Sequence, residues 1–113
     1  MTVTKRDGDM SIWLTDDPPE NVCRPSVDPM LRSLSTAFPG RVLTMILTGM
    51  GQDGLLGAER VGRDGGSVIA QDEATSVVWG MPGAVGRAGL CEAVLPLDEL
   101  GPRLLQIVGR RGA

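Results

Sequence analysis

The six residues Gly49-Met50-Gly51-Gln52-Asp53-Gly54 combine the letters of G-x-G-x-x-G with a carboxylate just ahead of a helix-like stretch. Glycines at this spacing let a backbone approach a pyrophosphate, whose charge the amides of a helix N-terminus receive. Asp72 and Glu73 follow at about the 20-residue separation expected of a ribose-binding acid. A small dinucleotide-binding module built on residues 42–72 is therefore one reading. Asp53 weakens it, because a carboxylate beside those amides repels phosphate. The same carboxylate suits a second task. At a helix N-terminus it gains about 0.3–1 kcal/mol from the dipole, and it can orient an imidazole and stabilise the imidazolium formed in acyl transfer, provided the imidazole comes from elsewhere. In a third reading the glycines only make a tight turn and Asp53 only caps a helix.

No histidine occurs among the 113 residues. The chain thus lacks the commonest zinc ligand, the usual general base near neutral pH and the middle member of a Ser-His-Asp or Cys-His set. By itself it should be inactive as a triad hydrolase. Cys23 and Cys91 fit neither a disulfide framework nor a metal knuckle and read as reduced thiols. No metal or cofactor is expected. A net charge of −3 without a basic block argues against a nucleic-acid partner. The longest apolar run, Val42 to Leu47, falls far short of the roughly 20 residues that cross a bilayer. Lys5, Arg6, Asp7, Asp9, Asp16 and Asp17 leave no signal-peptide core, so a cytoplasmic protein without membrane insertion is expected. With 42% hydrophobic and 22% charged residues, the composition is that of a globular chain, and the length suits one domain.

The elements that must position the loop can be read from periodicity. Residues 2–6 and 10–14 alternate around Asp7-Gly8, a two-residue hairpin turn. After the proline-stiffened connector 15–20, Ser26 reads as a helix cap whose hydroxyl accepts from free amides of a first turn holding Asp28 and Pro29. Val27, Met30, Leu31, Leu34 and Phe38 then recur at helical spacing. Val42 to Thr48 predicts a buried parallel strand, 54–63 a helix whose Gly54, Gly57, Ala58 and Val61 pack closely on a sheet, and 67–71 a second buried strand. This is a β-α-β unit, with a right-handed crossover expected. A loop and short helix over 76–89, a short strand at Val94-Leu95 and an amphipathic helix from Asp98 to Val108, with Leu100, Leu104 and Val108 inward, complete the chain. The fold class is α/β: part of a doubly wound, mainly parallel sheet with helices on both faces, preceded by a β-hairpin.

Five blocks, in order, carry a resemblance: Pro18-Pro19-Glu20-Asn21, Cys23-Arg24-Pro25-Ser26-Val27-Asp28, Leu47-Thr48-Gly49-Met50-Gly51-Gln52-Asp53-Gly54, Ala70-Gln71-Asp72-Glu73-Ala74 and Gly80-Met81-Pro82. Together they resemble the CheB-type protein-glutamate methylesterases of bacterial chemotaxis. The third block is the most specific, and the match runs from about Pro18 to the C-terminal helix. Residues 1–113 would be the C-terminal portion of that family's catalytic domain. The resemblance implies a serine hydrolase that removes methyl esters from glutamates of chemoreceptors, often with glutamine deamidation, in a phosphorelay. It makes Asp53 the acid of the Ser-His-Asp triad and the backbone amide of Met50 an oxyanion-hole donor, worth about 3 kcal/mol to a transition state.

The departures are equally specific. The family's nucleophile lies in an S-T-G-G-type loop, its histidine upstream of the hairpin and its receiver domain earlier still, and none of the three is present in this sequence. Ser26, Cys23 and Cys91 are no substitutes, since no histidine can activate them. Trp13, Phe38 and Trp79 read as packing residues rather than a receptor-binding surface. Asp7-Gly8-Asp9 reads as a hairpin tip rather than a calcium loop. A sheet lacking its upstream strands should expose an edge and self-associate.

Overall fold

A computed structural model of the chain describes residues 1–15, 17–20 and 26–112. Asn21 of the first block, Cys23-Arg24-Pro25 of the second and Asp16 of the connector lie outside the described residues. The chain opens with strands β1 (Thr2–Arg6) and β2 (Asp9–Trp13), paired antiparallel with Val3 opposite Ile12. Asp7 and Gly8 both have positive φ, 52° and 85°, as a tight hairpin turn of this hand requires. Helix α1 (Val27–Ala37) follows, and Val3, buried, packs the hairpin toward it while the Val3 amide donates to Ser33 Oγ.

Strand β3 (Leu43–Ile46), helix α2 (Leu55–Arg63) and strand β4 (Ser67–Gln71) form the β-α-β unit, with β3 and β4 parallel and Leu43 opposite Ser67. Helix α3 (Met81–Arg87) leads to strand β5 (Ala93–Leu95), parallel to β4, and helix α4 (Leu97–Gly112) ends the chain. The sheet order is β3-β4-β5. Strand β4 is buried along its whole length because both its faces are covered. Val68 and Ala70 look toward α1, α2 and α3, in a cluster with Leu31, Ile46, Ala58, Val61 and Val85. Ile69 looks the other way, into a second cluster with Leu100 and Ile107 of α4.

Three expectations need correction. Strand β3 ends at Ile46 rather than Thr48, because the Thr48 amide donates to the side-chain oxygen of Gln71 instead of extending the ladder. The inward residue at the end of α4 is Ile107, not Val108, which is 52% exposed. Ile107 lies seven residues from Leu100, nearly two full turns, whereas Val108 is rotated off that stripe. Trp13 is 57% exposed and spans the hairpin, its indole N–H donating to Thr4 Oγ1, so it is not a core residue. Phe38 does pack on the main core.

Helices α1 and α2 are tied at their far ends as well. Ser35 Oγ and Arg60 Nε both donate to Asp64 Oδ2, at 2.6 and 2.8 Å. The Ser35 hydroxyl first, and the Arg60 guanidinium second, hold the Asp64 carboxyl below its ordinary value.

Candidate active site

The loop between β3 and α2 leaves the carboxyl end of a parallel strand, where open α/β sheets place their chemistry. Asp53 occupies its last turn and is only 8% exposed. Its carboxylate does not cap α2, as the sequence suggested; it crosses to α1. Val27 N donates to Asp53 Oδ2 at 2.8 Å, while Asp28 N and Ser26 Oγ donate to Oδ1 at 3.2 Å each. Ser26 holds the N-cap position of α1 in extended conformation but makes no side-chain cap bond. Its hydroxyl donates to Asp53 instead of accepting from its own helix.

Asp28 returns the service. Its side chain, 1% exposed, accepts from Gly57 N at 2.7 Å, in the first turn of α2. Each helix thus has at least one first-turn amide met by a carboxylate from the segment that starts the other. The two N-termini can meet because Gly57 faces α1: a Cβ there would stand 2.6 Å from Leu31 Cβ and 3.2 Å from Asp28 Cα. The small-residue face expected to pack on the sheet therefore packs on α1 as well.

Met50 sits on the rim of the loop and is 82% exposed. Among the described residues its amide has no hydrogen-bond partner, whereas the flanking backbone is pinned. Gly49 N donates to Val78 O, and Gly80 N and Met81 N both donate to Gly49 O. Thr48 Oγ1 accepts from Val78 N and also lies 2.9 Å from Val78 O. Behind this seam, Gln71 is buried, its side chain accepting from Thr48 N and donating to Thr75 O. Trp79 donates its indole N–H to Gln71 O and carries Arg87 over its ring.

Asp28 and Gln71 are the residues the sequence reading undervalued. A polar residue closing a strand otherwise made of buried small and apolar residues was a signal for Gln71. For Asp28 the only local cue was an acid in a first turn, which points to its own helix.

The dinucleotide reading does not survive this geometry. The Gly57 amide that would meet a phosphate already meets Asp28, and Asp72, the expected ribose acid, accepts from Thr75 N and Thr75 Oγ1 in a turn. Cys91 is a free, half-buried thiol whose burial pushes its pKa up, the opposite of an activated nucleophile. A cleft of about 330 Å³ opens beside Ser26, lined also by Arg32, Ser33 and Arg60.

An α/β layer with a buried acid in the loop at the carboxyl end of a parallel strand puts the chain in the class of α/β domains whose chemistry sits at that sheet end. Comparison with known proteins narrows this. The family model described as CheB methylesterase matches residues 1–104, and the chain belongs to that family. It is 63% identical over 111 residues to a protein-glutamate methylesterase/protein-glutamine glutaminase of Azospirillum brasilense, covering 97% of this chain and 28% of that one. A relative of the same description from Caulobacter vibrioides is 60% identical over 95 residues, covering 84% and 27%. The crystal structure of the Thermotoga maritima CheB methylesterase catalytic domain superposes with a TM-score of 0.91 at 36% identity, covering 95% of this chain and 57% of that one. The chain therefore spans little more than a quarter of the curated relatives' length and over half of the solved catalytic domain.

Proposed function

We propose that residues 1–113 are the C-terminal portion of a protein-glutamate methylesterase catalytic domain, contributing Asp53 as the triad acid and the Met50 amide as an oxyanion donor. The observation that supports this reading is the buried Asp53 carboxylate, held at the carboxyl end of a parallel strand by Ser26 Oγ and the Val27 and Asp28 amides among the described residues. An acid that orients imidazole must itself be held still and shielded from water.

The chemistry then divides between two stretches of polypeptide. A serine and a histidine, both outside this sequence, meet Asp53. The histidine takes the serine proton as the oxygen attacks the γ-carbonyl of a methylated glutamate on a chemoreceptor. Asp53 stabilises the imidazolium, and the Met50 N–H faces the negative oxygen of the tetrahedral intermediate. Collapse expels methanol, protonated by the imidazolium, and water repeats the cycle on the acyl-enzyme to release the carboxylate. With glutamine the leaving group is ammonia. Location in the cytoplasm, chemoreceptors as partners and the absence of a nucleic-acid partner belong to the same reading. The negative net charge supports the last, and no helix among the described residues is long and apolar enough to cross a membrane. Self-association of the isolated chain through the outer edge of β3 is also part of it, since β3 ends the sheet order.

Exchanged for the corresponding stretch of the Azospirillum brasilense relative, this chain should support methanol release from methyl-esterified receptor, while the chain alone should release none. A folded chimera without esterase activity would overturn the reading.

The seam beneath the Met50 loop yields a sharper expectation. A Cβ at Gly80 would lie 2.7 Å from Gly49 O and 2.8 Å from Gly51 N, both backbone atoms that cannot rotate aside. Gly80→Ala in the chimera should push the loop outward and lower kcat by about 10²-fold, the worth of one oxyanion donor, with KM little changed. Equal kcat would mean that the Met50 amide does not act.

A further inference from the structure

We propose that Ser26 is a positioning residue for Asp53, reinforcing the plane of its carboxylate at Oδ1; this rests on the reading of Asp53 as the triad acid. A terminal carboxylate turns easily about its last torsion, which is broad and nearly two-fold. Orienting an imidazole demands one plane. The two α1 amides reach both oxygens, Val27 N on Oδ2 at 2.8 Å and Asp28 N on Oδ1 at a longer 3.2 Å, so the Oδ1 side is the more loosely held. Ser26 Oγ adds a second donor on Oδ1, from the residue that precedes the helix.

The conformation of Ser26 shows that this bond takes the place of its usual one. An N-cap serine in extended backbone ordinarily accepts from the second or third amide of its helix. Here the amide of the second residue, Asp28 N, goes to Asp53 and the third residue is Pro29, which has no N–H, so the buried Ser26 side chain is left to donate. Ser26 is therefore separable from helix capping: removing its hydroxyl leaves the Val27 and Asp28 bonds to Asp53 and the Asp28 bond to Gly57 in place.

Two consequences follow for Ser26→Ala. A hydrogen bond to a charged group is worth a factor of about ten or more, so kcat of the chimera should fall about tenfold with KM within about twofold. The carboxylate, having lost a donor, should hold the imidazolium more tightly and shift the acidic limb of the pH–rate profile upward. Ser26→Thr, which keeps the hydroxyl, should restore both. A purely structural serine would alter unfolding but not the position of that limb. An active chimera whose kcat and acidic limb are untouched by Ser26→Ala would overturn the proposal.

A second measurement needs no activity. In the 113-residue chain, Ser26→Ala should speed hydrogen exchange at the Val27 and Asp28 amides severalfold, because a freer carboxylate releases them more often. Unchanged exchange at both would also overturn the proposal. An inactive wild-type chimera combined with the expected exchange would instead count against the enzymatic reading while leaving the geometric role of Ser26 standing.

Discussion

Asp53→Asn in the chimera should lower turnover about 10⁴-fold, the loss seen when a triad acid becomes an amide and the imidazole is left in the wrong tautomer. The structure adds a stability cost that the chemistry alone does not require. Both carboxylate oxygens accept from backbone: Val27 N on Oδ2 and Asp28 N on Oδ1. Whichever way the asparagine amide is turned, its NH₂ faces one of these N–H groups and leaves it without an acceptor. A buried donor left unpaired costs about 1–3 kcal/mol. Urea unfolding should therefore show a lower midpoint, corresponding to a stability loss of that size, alongside the lost methanol release. An asparagine variant that retained esterase activity would remove Asp53 from the mechanism.

Gly57→Ala should destabilise the chain by about 2 kcal/mol and lower its melting temperature by on the order of 10 °C. The sign is the test. In an exposed helix interior, alanine is better than glycine by about 0.8–1 kcal/mol. At Gly57 the new methyl would meet Leu31 Cβ at 2.6 Å, well inside contact distance, and forcing α1 and α2 apart would stretch the 2.7 Å bond from Gly57 N to Asp28 Oδ1. A variant that melted higher than the parent, measured by circular dichroism, would mean that the two helices do not approach as described.

Much of the scaffold was legible because its signals are local. The Asp7-Gly8 turn, the apolar β3 and β4, and the spacing of Val27, Leu31 and Leu34 each depend on neighbours in the chain, and these elements appear within two residues of their expected bounds, whereas α4 runs to Gly112, four residues past Val108. Asp53 stood out in the sequence as a carboxylate after a strand, but the groups that hold it did not. Capping patterns encode what a residue does for its own helix, so Ser26, Asp28 and Asp53 all read as local caps. The structure exchanges them between helices more than twenty residues apart in sequence. Nothing in a single chain's spacing distinguishes a cap given from a cap received. The glycine fingerprint misled for a related reason: the letters fix a tight turn after a strand, and only the tertiary placement of Asp28 decides what the helix amides bind. Val108 was misplaced by counting in fours where the buried stripe follows Leu100 to Ile107.

The reciprocal grip between the starts of α1 and α2 has a consequence for how an enzyme built from such a segment comes together. Among the described residues, Ser26, Val27 and Asp28 of the same polypeptide donate to Asp53. On the proposed function the acid half of the machinery is thus prefabricated, and joining the serine- and histidine-bearing half would be a docking event rather than an induced rearrangement. In a split enzyme, recovery of esterase activity should keep pace with association of the two pieces and show no slower phase after it.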